Sequence, residues 1–342
     1  MPFADCFYGD IMKKRLLCLF ILLFARQGFC FDETVTVTDQ TGRQVLVKQP
    51  VNRVVTTFIP ATLFALCSDL GDVLVGASTK DESSSIYEAL IDPEHPPVLV
   101  GNRTAGLSLE TISSLNPDLV IMYGQKDGVR LADRLTSLGI PAIVIMPESM
   151  ARITQTLDLI GRAAGKKAHT DKVVTALKKI QATMENSLND TDRPRVYYAA
   201  SKLLSTVSGD MLQNEMMGLA GGANVSEKTS GFFVNISQEQ LLSWNPDIII
   251  ASDRLRHDAK KKLSSPEFAS IQAIKDNKIF RVPNETYWDF PSPLAMAGIL
   301  WMSSKIHPKL LYEDKVQAEI ETLYDTIFGS GFSKNYPRIL GK

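Results

Sequence analysis

The stretch Ser108–Asp127, SLETISSLNPDLVIMYGQKD, returns in altered form as Ser237–Asp258, SQEQLLSWNPDIIIASDRLRHD. Ser108 aligns with Ser237, Glu110 with Glu239, Leu115 with Trp244, and Asn116-Pro117-Asp118 with Asn245-Pro246-Asp247 at a constant offset. Each copy reads the same way. A serine caps a short helix, and Gln240 completes a capping box in the second copy. Apolar residues follow at helical spacing until Asn-Pro-Asp breaks the helix. A β-branched and aliphatic run, Leu119–Met122 or Ile248–Ala251, then reads as a buried parallel strand. Two copies about 130 residues apart are too few and too distant for a solenoid, so they indicate two similar α/β lobes.

Outward from the repeat, strands and helices alternate. Thr34–Thr38 and Arg43–Val47 alternate around a turn at Gln40-Thr-Gly42 and predict a hairpin. Arg53–Thr57 is a strand, Pro60 opens a helix that ends before Gly71, and Val73–Ala77 is the next strand. A helix is predicted over Val129–Leu138, stopped by Gly139, with a strand at Ile140–Met146. From Ser149 the pattern becomes helical. Ile153, Leu157, Ile160 and Ala164 form one stripe, Gly165 interrupts it, and Val173, Leu177, Ile180, Met184 and Leu188 form another. Asn189–Pro194 ends this region. Strand 195–200, a helix from Asp210 to Gly221-Gly222, the second repeat copy and strand Lys278–Val282 follow, then two closing helices, the first started by Ser292-Pro293. The expected fold is α/β: two Rossmann-like lobes, each with a mostly parallel sheet, bridged by a long helix. The boundaries are 1–30 for an export segment, 31–148 for the N-terminal lobe, 149–193 for the helical connection and 194–342 for the C-terminal lobe.

The 342 residues suit two domains, with 44% hydrophobic and 22% charged residues. The formal charge is −1, and four of the cations and two of the anions lie in the first 30 residues. Nothing resembles a nucleic-acid footprint. Lys13-Lys14-Arg15 followed by the apolar run Leu16–Ala25 is a targeting pattern, with Met1 or Met12 as its start. The expected product is periplasmic, cleaved near Cys30 and beginning at Phe31. The alternative is a lipid anchor on Cys30, against which Phe29 argues, since lipoprotein signals want a small residue there. Beyond the leader only Cys67 remains, within Leu63–Ser68, and reads as a buried small hydrophobe.

The order of these pieces resembles the periplasmic solute-binding proteins of ABC importers for ferric siderophores and cobalamin. The residues that carry the resemblance are Asp39-x-x-Gly42-Arg43, Arg53-Val54-Val55 leading to Pro60-Ala61, Val75-Gly76, Leu107–Glu110 through Asn116–Val120, Gly221-Gly222-Ala-Asn224, Ser237-x-Glu239-Gln240 and Pro291-Ser-Pro293. The resemblance implies two lobes joined by one long helix, a ligand in the cleft between them and an ABC permease as partner. It also implies that Glu110 and Glu239, one per lobe, dock on permease arginines. The residue-level reading of both is a helix-end acid, worth about 0.3–1 kcal/mol.

Open parallel sheets bind ligands at the carboxyl ends of their strands. By position the cleft candidates are Phe58, Arg103, Tyr123, Lys202, Phe233, Arg254, His257, Tyr287 and Trp288, with Ile59, Phe232, Arg256 and Asp289 beside them. Aromatic faces cover a large chelate and arginines pair with anionic oxygens. Arg103, Lys202, Arg254 and Arg256 outnumber the candidate acids, which favours an anionic ligand: a metal chelate, a ferric siderophore first, or an oxyanion such as molybdate or tungstate. Cobalamin and haem are further alternatives. A bare transition metal would need converging histidines and carboxylates, and only His257 of the four histidines lies near the strand ends. No G-x-S-x-G or H-E-x-x-H occurs, and Gly161–Lys167 has the wrong spacing for a phosphate loop. The expectation is a monomeric binding protein, not an enzyme, with no cofactor, no direct metal ligand and no nucleic-acid partner.

Overall fold

The computed structural model describes residues 33–78, 85–102, 106–124, 127–256, 263 and 265–341. The leader, Arg103 and His257 lie outside the described residues.

Strands β1 (Glu33–Thr38) and β2 (Gln44–Gln49) form the opening hairpin. Its turn is organised by Asp39, which is 5% exposed. One carboxylate oxygen accepts from the backbone N–H groups of Thr41 and Arg43. The other pairs with the Arg43 guanidinium at 3.0 Å and accepts from Val144 N at 3.1 Å, which fastens the hairpin to the first lobe.

That lobe is a five-stranded parallel sheet of β3 (Val54–Thr57), β4 (Leu74–Ala77), β5 (Val98–Leu99), β8 (Leu119–Tyr123) and β9 (Ala142–Ile145), in the order β5-β4-β3-β8-β9. A two-stranded antiparallel pair, β6 (Gly101–Asn102) and β7 (Gly106–Leu107), precedes the first repeat copy. The second lobe has four parallel strands, β10 (Arg195–Ala199), β12 (Ala223–Asn224), β14 (Ile248–Ala251) and β15 (Ile279–Arg281), in the order β12-β10-β14-β15. Every residue of β3, β8, β9 and β14 is buried, as expected of apolar runs in sheets covered on both faces.

The repeat builds the same clamp in both lobes. Asn116 and Asn245 take φ of 44° and 41°, a left-handed conformation that asparagine tolerates. The following aspartate then reaches the start of the neighbouring strand. Asp118 accepts from Asn52 N and Arg53 N at 2.8 and 2.9 Å, and Asp247 accepts from Arg195 N at 2.8 Å. The arginine of that strand returns to the end of the repeat helix. Arg53 donates to Leu115 O at 2.8 Å, and Arg195 donates to Trp244 O and Asn245 O at 3.0 and 2.8 Å. Carbonyls left unpaired at a helix end are thereby satisfied.

Between the lobes Ser149 caps the helix Met150–Ala163 by accepting from Arg152 N. Gly165, at φ +71°, turns the chain into the 22-residue helix Lys167–Leu188, about 33 Å long. The predicted stripe of Val173, Leu177, Ile180, Met184 and Leu188 is buried. One apolar cluster runs from Val54 and Ile121 through this helix to Val196, Ile250 and Tyr324, so the two sheets share a core. The final turn, Pro337–Leu340, returns to the N-terminal lobe and packs on the helix Ser85–Leu90.

Several local expectations differ from the structure: a third closing helix, Phe332–Asn335, follows Ala295–Ile306 and Glu313–Phe328. The helix placed at Ser292-Pro293 begins at Ala295, because Ala295 N first closes a turn onto Ser292 O at 3.0 Å. Phe233, read as a loop residue, instead starts β13 (Phe233–Asn235), which pairs antiparallel with β11 (Ser205–Val207). Among the described residues no helix is long and apolar enough to cross a membrane.

Candidate functional site

The carboxyl ends of both sheets open onto one cleft of about 600 Å3. The N-terminal lobe contributes Phe58, Pro60, Tyr123 and Glu148. Phe58 follows β3 and precedes the helix Ile59–Cys67, with φ +71°, a rare conformation for an aromatic residue. Its backbone N–H donates to the Ser78 hydroxyl, and its ring meets that of Tyr123 at 5.4 Å and 42°. The Tyr123 hydroxyl, at the end of β8, donates to the Glu148 carboxylate.

The C-terminal lobe contributes the rest. Tyr198 lies on β10, Lys202 follows it, and Phe232 precedes and Phe233 opens β13, 54% and 59% exposed. Arg254 follows β14 and places its guanidinium 4.4 Å from the centre of the Phe290 ring. Beneath these lies a buried polar floor. Asp289 accepts from the Tyr198 hydroxyl at 2.5 Å and from the Ser252 hydroxyl at 2.8 Å through the same oxygen, while its backbone carbonyl accepts from Gln213 Nε2 at 2.7 Å. Burial, and then the nearby Asp289 carboxylate, push the Asp253 carboxyl up to about 6. Burial first and Asp289 second also raise the Tyr198 hydroxyl well above the ordinary tyrosine range.

The structure therefore brings together Phe58, Tyr123, Lys202, Phe233 and Arg254 of the sequence candidates, with Phe232 and Asp289. It takes Tyr287 and Trp288 out of the cleft. They are 3% and 1% exposed, and Trp288 donates from its indole N–H to Tyr324 Oη at 2.9 Å. The chain after β15 dives into the core, so these large rings fill it and Asp289, itself buried, lines the cleft floor in their place. Ile59 is buried, and Arg256 is exposed without lining the cleft. The predicted excess of positive charge is also absent: among the described lining residues two cations, Lys202 and Arg254, face two acids, Glu148 and Asp289. Glu148 and Tyr198 lie at or just past strand ends and could have been found by that rule. Gln213 lies in the helix Leu212–Leu219, which carries no such signal. Among the described residues no group of three or more His, Cys, Asp and Glu side chains stands close enough to hold a metal ion.

Glu110 and Glu239 are exposed in the first turns of the helices Leu109–Ser114 and Gln238–Trp244, and neither lines the cleft. Ser108 and Ser237 cap these helices, accepting from Thr111 N and Gln240 N at 3.1 and 3.2 Å. The Glu239 carboxyl is held below its usual range by its own backbone N–H first and the Ser237 hydroxyl second.

Two parallel sheets facing each other across a cleft, joined by one helix and a shared core, define a two-lobed solute-binding protein. The chain belongs to the periplasmic binding protein family, whose description "Periplasmic binding protein" matches residues 54–286. It is 24% identical to the molybdate-binding protein MolA of Haemophilus influenzae, over 94% of this chain and 98% of that one. It is 24% identical to a vitamin B12-binding protein of Vibrio parahaemolyticus, over 75% and 89%. A solved periplasmic solute-binding protein from Veillonella parvula superposes with a TM-score of 0.75 at 25% identity, covering 86% of this chain and 93% of that one. CeuE of Helicobacter pylori, solved as a Ni-His complex, gives 0.76 at 21%, covering 89% and 99%, and shares the fold.

Proposed function

We propose that this protein captures a metal chelate, a ferric siderophore foremost, in the cleft between its lobes and delivers it to an ABC importer in the membrane. The observation that carries this reading is the cleft wall. Six aromatic side chains, Phe58, Tyr123, Tyr198, Phe232, Phe233 and Phe290, surround about 600 Å3 of space with Lys202 and Arg254 at hand. That volume suits a drug-sized ligand with apolar faces. The two cations suit the anionic oxygens of a chelate. A tetrahedral oxyanion, the reading that the molybdate-binding relative favours, calls for a small polar cage and would leave most of this wall unused. Cobalamin and haem are flat chelates for which the same wall would serve.

Delivery is assigned to Glu110 and Glu239, one on each lobe, meeting cations of the permease. The protein works as an exported periplasmic monomer, with Lys202, Arg254 and the aromatic wall as the ligand-binding set. Native mass spectrometry of the protein isolated from its own periplasm tests the cargo. An iron- or cobalt-bearing organic mass released on denaturation is the expected result. A molybdate or tungstate adduct would overturn the chelate reading.

A further inference from the structure

We propose that the floor of the cleft in the C-terminal lobe receives a cationic nitrogen, so that the cargo carries an ammonium group besides the anionic oxygens that Lys202 and Arg254 would meet. This rests on the cleft being the ligand site, and it narrows the class of ligand. Gln213 and Asp289 line the cleft and are 6% and 4% exposed. Each keeps one buried oxygen without a hydrogen-bond partner, Oε1 of Gln213 and Oδ1 of Asp289. The assignment of the glutamine amide is set by its neighbour. Its nitrogen donates to the Asp289 carbonyl at 2.7 Å, which leaves the oxygen as the bare group.

The Asp289 carboxyl group also has no cation paired with it among the described residues. Its bonded oxygen is held by two neutral hydroxyls, Tyr198 and Ser252. Among the described residues no lysine or arginine forms an ion pair with it. Arg254 stacks over Phe290 and lies 4.0 Å from Asp253. Arg281 donates to the backbone carbonyls of Asp253 and Leu255. Asp253 adds a second carboxylate nearby. Buried carboxylates in folded proteins are paired, because removing an isolated charge from water is costly. A neutral hydroxyl from the ligand would satisfy the geometry but not the charge. An ammonium supplies both hydrogen-bond donors and a positive charge.

The test uses a linear ferric trihydroxamate ending in a primary ammonium and its N-acetylated form, each with and without iron. Binding of all four to the purified protein is measured by titration calorimetry. The ammonium form should bind about tenfold tighter or more than the acetylated form, as expected for hydrogen bonds to a charged group. In Asp289→Asn that ratio should fall below about threefold, while the preference for iron-loaded over iron-free probe persists and shows that the variant is folded. Equal affinity for ammonium and acetylated forms, or an undiminished ratio in Asp289→Asn, overturns the ammonium site. Equal affinity for iron-loaded and iron-free forms overturns the chelate reading instead. Binding of none of the four counts against both.

Discussion

The amino end of each sheet and its carboxyl end have obeyed different rules. At the amino ends the two lobes are near copies: Asp118 and Asp247 hold the first residues of a neighbouring strand, and Arg53 and Arg195 close the repeat helix. At the carboxyl ends they differ. The N-terminal lobe offers Phe58 and Tyr123, backed by Glu148, while the C-terminal lobe offers both cations, most of the aromatic wall and the buried Asp289 network. The first set pairs backbone groups at the strand starts and helix ends. The second set faces only the cleft and is free to vary with the ligand. Charge recognition would then come from the C-terminal lobe, and shape from both.

The largest expected effect tests the side on which the lobes remain alike. If Glu110 and Glu239 are equivalent docking points, replacing either with Ala should weaken the permease complex about 30-fold or more, and Lys should be worse. Uptake by cells would fall while ligand affinity of the purified protein stays normal. Normal uptake would reduce both to helix-end charges. A loss confined to one lobe would break the equivalence.

The next effects separate the lobes at the cleft. Arg254→Ala should cost about 1.5–3 kcal/mol of chelate affinity through lost charge-assisted hydrogen bonds. Phe58→Ala should cost about 0.5–1.5 kcal/mol through lost stacking. Calorimetry on the two variants checks the order, and a larger loss at Phe58 would show that stacking outweighs charge in this cleft.

The clamps should respond as a pair. Asp118→Ala removes the partner of two exposed backbone N–H groups and Asp247→Ala that of one, at about 0.5–1.5 kcal/mol per bond. Denaturant unfolding should give losses in both, the larger at Asp118, with ligand affinity retained.

Asp253 has no counterpart in the other lobe and gives stability a pH dependence of its own. Its folded carboxyl titrates near 6, above the ordinary value of 3.8, so the folded state holds the proton more tightly than the unfolded chain. Its contribution is therefore most favourable below about pH 4 and is lost as pH rises towards 6, by an amount on the order of 2 kcal/mol. Thermal melts from pH 4 to 7 should lose this slope in Asp253→Asn.

The smallest effect concerns movement between the lobes. The long helix, the common core and the return of Pro337–Leu340 to the first lobe tie the two halves together. Small-angle scattering should change little when chelate is added, and a large contraction would show a hinge that this packing does not allow for.

The sequence by itself determined the two-lobed plan. The recurrence of Asn-Pro-Asp before an aliphatic run, and the two apolar stripes on either side of Gly165, are local patterns in which spacing dictates structure. The strand-end rule also found Phe58, Tyr123, Lys202 and Arg254, because a parallel sheet exposes the residues just past the carboxyl end of each strand, whereas Phe233 was legible only as a residue preceding the second repeat copy and lies in an antiparallel pair. Only the tertiary structure decided the rest. Trp288 and Asp289 are neighbours in sequence and look equally available, yet one fills the core against Tyr324 and the other reaches the cleft floor. Gln213 belongs to a helix and joins the site through a bond to a residue far along the chain. Whether a side chain is buried, and which charge it meets there, depends on packing between segments distant in sequence, and no local pattern records that.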